Sequence, residues 1–285
     1  MSEESVFINL EEYPIHDRNA VRYGELVLRA RKLLKNSGFV ALPNFICKTG
    51  LERIKAQCLE VINQQPVLGN QVGRAVNCYY TATNDDLSSD HPQNVLFDRQ
   101  FGVIRDDMIH ADHGIRQVYD SPFLVQFVAD VLESPELHQS RDSYQALTVN
   151  VMAEGDHLHW HFDCNACAVT LGIQVPEGGG QFEFVPFIGR EEFAKVSAVI
   201  AAEPGSADNV KEFSTEEGML VFFCGGESIH CVRPVVGPRC RMVAALQFHT
   251  SPDAHDPPEM TQRIYGVPVE EHLGPKEHIV SAYAS

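Results

Sequence analysis

HLHWHFDCNAC, residues 157–167, contains two possible metal ligands, His161 and Asp163, at positions i and i+2. On an extended strand, side chains two residues apart point to the same face, so this imidazole and this carboxylate can bind neighbouring positions of one metal ion. A third ligand is available in GESIHCVRP, which contains His230. Two histidines and one carboxylate on one face of an octahedron leave three positions open, an arrangement typical of non-haem Fe(II) oxygenases. We therefore expect His161, Asp163 and His230 to bind Fe(II) and to form the catalytic centre.

The arginines of GPRCRMVAAL, residues 237–246, suit the co-substrate that such a centre needs. 2-Oxoglutarate would chelate the iron through its C1 carboxylate and keto oxygen, O2 would use the remaining position, and the C5 carboxylate would need a cation. The planar guanidinium of arginine binds a carboxylate through two parallel hydrogen bonds. We expect Arg241 to fill this role because it begins a predicted strand, which holds it rigidly, and Arg239 is the second candidate. Asn150, on the strand before the iron motif, is expected to add a hydrogen bond to 2-oxoglutarate.

The apolar pattern of the chain changes character near residue 142. Before it, helical spacing of apolar residues predicts helices over residues 19–36, 50–64 and 113–134. After it, short runs rich in β-branched and aromatic residues predict strands over residues 144–152, 166–175, 181–187, 219–224 and 241–249, with one helix over 191–202. Helices followed by a run of strands favour a mostly β fold, in which N-terminal helices pack on a sandwich or barrel.

One domain is expected over residues 1–285, because no repeat, low-complexity tract or Pro/Ser-rich linker divides the chain. Its expected parts are helical support with lid and substrate loops over 1–142, the β core with the iron site over 143–250, and a tail over 251–285. The polar stretch 65–112 has no clear period, and long irregular stretches in compact domains are usually functional or poorly ordered. We expect it to form the lid or substrate loop, where Arg74 is a candidate to bind a substrate carboxylate.

Charge and composition exclude several classes of protein. Lys and Arg number 22 against 39 Asp and Glu, which gives a net charge of −17, whereas binding to nucleic acid favours a basic face. The acidic start MSEESVFINLEEYP lacks the features of a signal peptide, and apolar runs such as Met219–Cys224 are too short to span a bilayer. We expect a cytoplasmic protein that acts on a small molecule, with no nucleic acid or membrane partner. Its eight cysteines would then be mostly reduced.

The same segment permits a zinc site. His157, His159 and His161 would share one face of a regular strand, as in a zinc hydrolase, but the carboxylate of the motif would then have no role. Cys164 and Cys167 have the spacing of half a zinc site. The chain has no second Cys-x-x-Cys, and thiolates beside an oxygen-activating iron would be at risk of oxidation. The iron interpretation is therefore favoured.

Several longer segments resemble one known family. They are GFVALPNF (38–45), NCYYTATNDDLSSDHP (77–92), NVM (150–152), HWHFD (159–163), EGGGQFEFVP (177–186) and FFCGGESIHCVRPVVGPRCR (222–241). Together they are similar to the 2-oxoglutarate oxygenases that contain the BesD/HalD-type free-amino-acid halogenases and their hydroxylase relatives, over roughly residues 20–250. The resemblance implies a double-stranded β-helix (jelly-roll, cupin-like) core. It also implies Fe(II), 2-oxoglutarate and O2, with release of succinate and CO2, and C–H functionalisation of a small, amino-acid-like or natural-product molecule.

The carboxylate of the iron motif and the residues that flank the motif refine what the resemblance implies. Halogenating members carry a small residue in place of the carboxylate ligand, which leaves room for chloride, whereas this chain has Asp163. Hydroxylation is therefore expected, with desaturation or cyclisation as variants of the same hydrogen abstraction. Leu158 and Cys164, which flank the motif, are not the polar groups that a basic amino acid would need. The remaining alternatives are a radical halogenase that tolerates Asp163 and a non-catalytic β-barrel protein that binds a metal or 2-oxoglutarate.

Overall fold

The computed structural model describes residues 6–65, 67, 74–99, 101–202, 209–254, 258 and 261–262, and the side chains of Arg74 and Arg99 lie outside this description. The helices are α1 (Val21–Ser37), α2 (Lys48–Gln64), α3 (Gly114–Tyr119), α4 (Pro122–Val131) and α5 (Phe193–Ala201), with a 3-10 helix at Asp106–Met108. The strands are β1 (Phe39–Leu42), β2 (Arg74–Val76), β3 (Phe97–Arg99), β4 (Gly102–Ile104), β5 (His138–Gln139), β6 (Leu147–Met152), β7 (Leu158–His161), β8 (Ala168–Gln174), β9 (Gly178–Gly179), β10 (Phe182–Val185), β11 (Lys211–Phe213), β12 (Leu220–Phe223), β13 (Ile229–Val232), β14 (Val235–Val236), β15 (Arg241–Leu246) and β16 (Phe248–His249).

Two antiparallel sheets dominate the fold. The larger has the strand order β1-β12-β8-β15-β6-β4, and the smaller has the order β11-β10-β13-β7. Along the chain the path passes repeatedly between the sheets: β6, β8, β12 and β15 lie in the larger, whereas β7, β10, β11 and β13 lie in the smaller. This winding is that of a double-stranded β-helix, so the fold is mostly β with N-terminal helices, as predicted.

Apolar side chains from the facing sheets meet between them. Phe184 of β10 packs edge-on against Phe223 of β12, with ring centroids 5.3 Å apart, and Val221 belongs to the same buried cluster. Aromatic pairs in such edge-to-face contact add to the stabilisation that burial of their apolar area provides. The two sheets are therefore held at a fixed separation on one side of the space that contains the iron motif.

The N-terminal helices cover the outer face of the larger sheet. In α1 the buried residues follow helical spacing and include Tyr23, Val27, Ala30 and Leu34. The helix ends where Gly38 adopts a left-handed conformation, with φ 68°, and donates its N–H to the carbonyl of Leu34. The chain then enters β1 directly, and α1 confirms the helix predicted over residues 19–36.

The predicted helix over residues 113–134 is divided into α3 and α4. The first segment ends at Tyr119, and Ser121 caps the second, because its Oγ accepts a hydrogen bond from the N–H of Leu124. Pro122 stands at the first position of α4, where proline is tolerated because its missing N–H is not needed. A continuous helical pattern in the sequence therefore conceals a cap and a new helix start.

The stretch 65–112 is less irregular than expected in the part that the structure describes. β2 pairs with β3, and β4 pairs with β6 to form the edge of the larger sheet. Strands of three residues are too short to show a periodic pattern, so they are not evident from the sequence. Most of the predicted tail 251–285 lies outside the described residues. Among the described helices, none is long and apolar enough to cross a membrane.

Candidate metal centre and cavity

The three predicted iron ligands converge between the sheets. His161 ends β7 and is the direct cross-strand partner of His230 in β13, with ring centroids 4.0 Å apart. Asp163 follows two residues after β7, and its Oδ1 lies 3.4 Å from Nε2 of His230 and 3.8 Å from Nε2 of His161. Among the described residues these three form the one group of three or more His, Cys, Asp or Glu residues whose ligand atoms all lie within 4.8 Å of one another. The geometry is that of a facial triad.

Hydrogen bonds fix the tautomers of both histidines. Nδ1 of His161 lies 2.8 Å from the carbonyl of His159, and Nδ1 of His230 lies 2.9 Å from the carbonyl of Ser228. A carbonyl oxygen only accepts, so each Nδ1 carries the proton and each Nε2 presents its lone pair on the side of Asp163. This arrangement orients metal-binding imidazoles in many proteins. The donor set of two imidazoles and one carboxylate fits Fe(II).

The carboxylate of Asp163 is ionised in this setting. Burial alone would raise its pKa, but His230, then His161 and Arg190, outweigh that effect and hold the pKa below its ordinary value. Gly225 permits the close approach of the carboxylate, because a Cβ atom at this position would overlap it. The carbonyl of Gly225 also accepts a hydrogen bond from the N–H of Asp163, at 3.0 Å.

Arg190 is a contact of the metal centre that the sequence did not reveal. Its Nη1 donates to the backbone carbonyl of Asp163 at 2.9 Å. The guanidinium lies over the rings of Tyr79 and Phe162, 5.6 and 5.5 Å from their centroids, and those two rings are stacked. Tyr79 in turn donates its hydroxyl to the carbonyl of Arg190. The residue lies in a loop of ordinary composition, so no sequence pattern marks it.

The segment that carries Tyr79 also covers His161. Cys78 accepts a hydrogen bond at its carbonyl from the N–H of Phe162, at 2.8 Å. Tyr80 has φ 56°, a conformation that is strained for a residue with a side chain, and its ring meets that of His161 at 70° with centroids 5.5 Å apart. Part of the predicted lid stretch therefore lies against the metal centre.

A cavity of about 220 Å³ extends from the triad between the two sheets, and Arg241 lines it. This arginine is 5% exposed, and its Nη2 lies 3.3 Å from Oγ1 of Thr215. No carboxylate among the described residues forms an ion pair with it. Burial lowers the pKa of Arg241 to about 10, so the guanidinium stays charged at neutral pH. A buried cation without a counter-ion is costly, and its surroundings are therefore suited to an anionic ligand.

The other predicted site residues lie in different places. Asn150 lines the same cavity from β6. Arg239 is at the surface, where its Nη2 lies 3.3 Å from the carbonyl of Pro176, and it does not line this cavity. Arg74 begins β2, and its side chain lies outside the described residues.

The residues that suggested a zinc site do not lie with the triad in one metal-binding group. His157 and His159 face each other, with their Nε2 atoms 2.9 Å apart, and they line a different cavity from that of the triad. Cys164 is exposed, whereas Cys167 interacts with Cys224 of the neighbouring strand end. The arrangement of a three-histidine zinc site is therefore not found.

Comparison with known proteins gives a family and a fold. The family model HalD (halogenase D) matches residues 24–266. Among solved structures, AviO1 from Streptomyces viridochromogenes Tue57 is 15% identical over 80% of this chain and 96% of its own, with a TM-score of 0.53. The non-haem α-ketoglutarate-dependent carbocyclase SnoK of nogalamycin biosynthesis is 14% identical over 77% and 82%, with a TM-score of 0.51. The epimerase SnoN, in complex with Fe3+, α-ketoglutarate and nogalamycin RO, is 14% identical over 79% and 84%, with a TM-score of 0.50. No curated protein is significantly similar in sequence to the chain.

Proposed function

The chain belongs to the HalD (halogenase D) family, and from this premise we propose that it hydroxylates a C–H bond of a small molecule as an Fe(II)- and 2-oxoglutarate-dependent dioxygenase. The observation that carries the proposal is Asp163, whose carboxylate faces Nε2 of both His161 and His230. A halogenase of this group would have a small residue at this position. Here the carboxylate takes up the space that chloride would need beside the metal, which favours hydroxylation.

The cofactors of the enzyme are Fe(II) and 2-oxoglutarate, with O2 as oxidant, and the residues present fit them. His161, Asp163 and His230 would hold the iron, and Arg241 with Thr215 would hold the C5 carboxylate of 2-oxoglutarate. Asn150 remains a candidate for a further hydrogen bond. When bound, this group supplies the oxidising power to remove a hydrogen atom from a C–H bond, as 2-oxoglutarate is converted to succinate and CO2.

The protein's own contribution is to position ligands and exclude water. The Nδ1–H bonds of His161 and His230 hold the imidazoles in the metal-binding tautomer, and Arg190 with Gly225 holds Asp163. The cavity walls include aromatic side chains, with Phe182 and Phe223 among them. Such walls keep bulk water from reactive species and strengthen the attraction between Arg241 and a bound carboxylate.

We also propose that the helices and the jelly roll act as one domain in the cytoplasm. Buried residues of α1, α2 and α4 share a hydrophobic cluster with strands of the larger sheet, which supports one folding unit. The eight cysteines are free thiols, which fits a reducing compartment. The proposed partner is a small, amino-acid-like or natural-product substrate.

The proposal is tested with apoprotein purified without oxygen and then supplied with Fe(II), 2-oxoglutarate, O2 and candidate substrates, with and without chloride. We expect succinate that depends on iron, and a product heavier by one oxygen atom whatever the chloride concentration. Asp163→Ala and Arg241→Ala should each abolish formation of both succinate and the oxygenated product. Product lighter by two hydrogen atoms would identify desaturation or ring closure. Tight zinc binding without any succinate would overturn the proposal.

A further inference from the structure

We propose that the substrate is bound through an uncharged amide group by the side chains of Asn165 and Gln247, so that the enzyme acts on a neutral carboxamide or lactam. This inference rests on the proposed function and specifies its substrate class. Both residues line the cavity that holds the triad and Arg241. Asn165 follows Asp163 by two residues, and Gln247 follows the last residue of β15.

The amide pair and Arg241 stand at opposite ends of one strand. β15 begins at Arg241 and ends at Leu246, and Gln247 follows it directly. At about 3.3 Å per residue, six residues of extended chain span about 20 Å. A 2-oxoglutarate molecule held at Arg241 therefore leaves the end near Gln247 for another molecule. That end is where the substrate would enter beside the metal centre.

The backbone holds Gln247 rigidly. Its N–H donates to the carbonyl of Ala146 at 3.0 Å, and its carbonyl accepts from the N–H of Ser140 at 2.9 Å and the hydroxyl of Tyr119 at 2.6 Å. Its side chain is held as well, because Oε1 accepts from Nδ2 of Asn165 at 2.6 Å. A recognition group that is fixed in this way loses little entropy when a ligand binds.

The bond between the two amides leaves a specific pattern. It uses one N–H of Asn165 and the oxygen of Gln247, so the NH2 of Gln247 and the Oδ1 of Asn165 remain without hydrogen-bond partners among the described residues. The NH2 of Gln247 and the Oδ1 of Asn165 thus offer a donor group and an acceptor atom side by side. If both amides were turned round, the donor and the acceptor would exchange places and the pattern would persist. A carboxamide or lactam, which carries a carbonyl and an N–H side by side, is complementary to it.

The charges of the cavity point to the same substrate class. Other polar side chains in its described lining include Gln145, Thr148 and Thr170, which are uncharged. The described acidic or basic lining residues outside the histidine pair are Asp163 and Arg241, and the proposed function uses both of them. A free ammonium or carboxylate at the amide end would lose its hydration without meeting an opposite charge there, which is costly. A neutral amide meets no such penalty.

The first arm of the test compares matched substrates. The enzyme loaded with Fe(II) and 2-oxoglutarate is given free leucine, valine or proline, and separately the N-acetyl amide and the cyclic dipeptide of each. Succinate and product mass are measured. We expect at least one capped, neutral compound to stimulate succinate and to gain oxygen, with the matching zwitterion at least about 10-fold less effective, as expected for an unpaired buried charge. Equal or better turnover of the zwitterions would overturn the inference.

The second arm uses variants. Asn165→Leu and Gln247→Leu should each raise KM for the best neutral compound by about 10-fold, as expected for the loss of one hydrogen bond in a half-buried site. Affinity for 2-oxoglutarate, which depends on the other end of the cavity, should stay as in the wild type. Gln64→Leu, on the exposed surface of α2, is the matched control and should behave as the wild type. An unchanged KM in both cavity variants would refute the role of the amide pair.

Two outcomes distinguish a wrong substrate class from a wrong enzyme class. Iron-dependent succinate that no neutral compound stimulates would refute the amide inference while the oxygenase stands. Absence of succinate with every compound, together with absence of 2-oxoglutarate binding, would refute the proposed function and the inference with it.

Discussion

Arg190 donates from Nη1 to the backbone carbonyl of Asp163 at 2.9 Å, while its guanidinium lies against the stacked rings of Tyr79 and Phe162. The contact joins the loop before α5 to the residue that we assign as the carboxylate ligand of the iron. The bond is part-buried, and the cation–π contacts with both rings help to hold the guanidinium in place. Arg190 is therefore a positioning residue for Asp163.

Replacing Arg190 should weaken iron binding. In Arg190→Met the carbonyl of Asp163 loses its donor, and we expect the Kd for Fe(II) to rise by about 10- to 100-fold, as for other contacts that orient metal ligands. Anaerobic titration with Fe(II) measures this. Lys32→Met, on the exposed face of α1, is the control and should bind iron as the wild type does. If Arg190→Met binds iron equally well, the positioning role is wrong.

Gly225 should be intolerant of any side chain. In Gly225→Ala the new Cβ would overlap the carboxylate of Asp163, so we expect iron binding and turnover to be lost while circular dichroism stays native. Gly24→Ala is the matched control, because nothing lies within 4 Å of a Cβ at this position in α1. That substitution should stabilise the fold by about 1 kcal/mol, since alanine favours a helix more than glycine does. Full activity in Gly225→Ala would show that the carboxylate of Asp163 can bind the metal from another position, which would contradict this prediction.

Arg241 should lower the stability of the apoprotein and bind 2-oxoglutarate. Arg241→Met removes a buried charge without a described counter-ion, so the apoprotein should become more stable, by about 1–3 kcal/mol. The same variant should no longer be stabilised by 2-oxoglutarate, whereas the wild type should gain about 2.7 kcal/mol at 100 times Kd. Thermal denaturation with and without 2-oxoglutarate measures both effects. Arg239→Met, at the surface, should still be stabilised by 2-oxoglutarate. If instead Arg239→Met loses this stabilisation and Arg241→Met keeps it, Arg239 is the residue that binds the carboxylate.

His157 and His159 should not be needed for the metal. Their side chains line another cavity, and His159 supports His161 through its backbone carbonyl, which alanine retains. We therefore expect His157→Ala and His159→Ala to bind Fe(II) as the wild type does, whereas His161→Ala should lose it. Metal analysis after anaerobic loading distinguishes the cases. Loss of metal in all three variants would favour the three-histidine zinc site.

The sequence located those parts of the site that depend on local spacing. His161 and Asp163 lie on one strand end, and their common face follows from the alternation of side chains along an extended chain. Arg241 could be selected because it begins an evident strand. The position of His230 opposite His161 depends on sheet pairing between distant segments, which spacing along the chain does not specify.

The remaining contacts come from tertiary structure alone. Arg190, Asn165 and Gln247 act through neighbours that loops and sheet register bring to them, and none belongs to a pattern of fixed spacing. The short edge strand β4 was missed for a similar reason. Its three residues are specified by pairing with β6 and not by their own periodicity.

Turnover of a responsive substrate under 18O2 tests the central claim most directly. Mass spectrometry of both products should find one labelled oxygen atom in succinate and one in the organic product, with the same result in chloride-rich and chloride-free buffer. Asp163→Ala should form neither. A chlorinated product from the wild-type enzyme, or succinate without label, would contradict the account of a hydroxylase whose iron is bound by His161, Asp163 and His230.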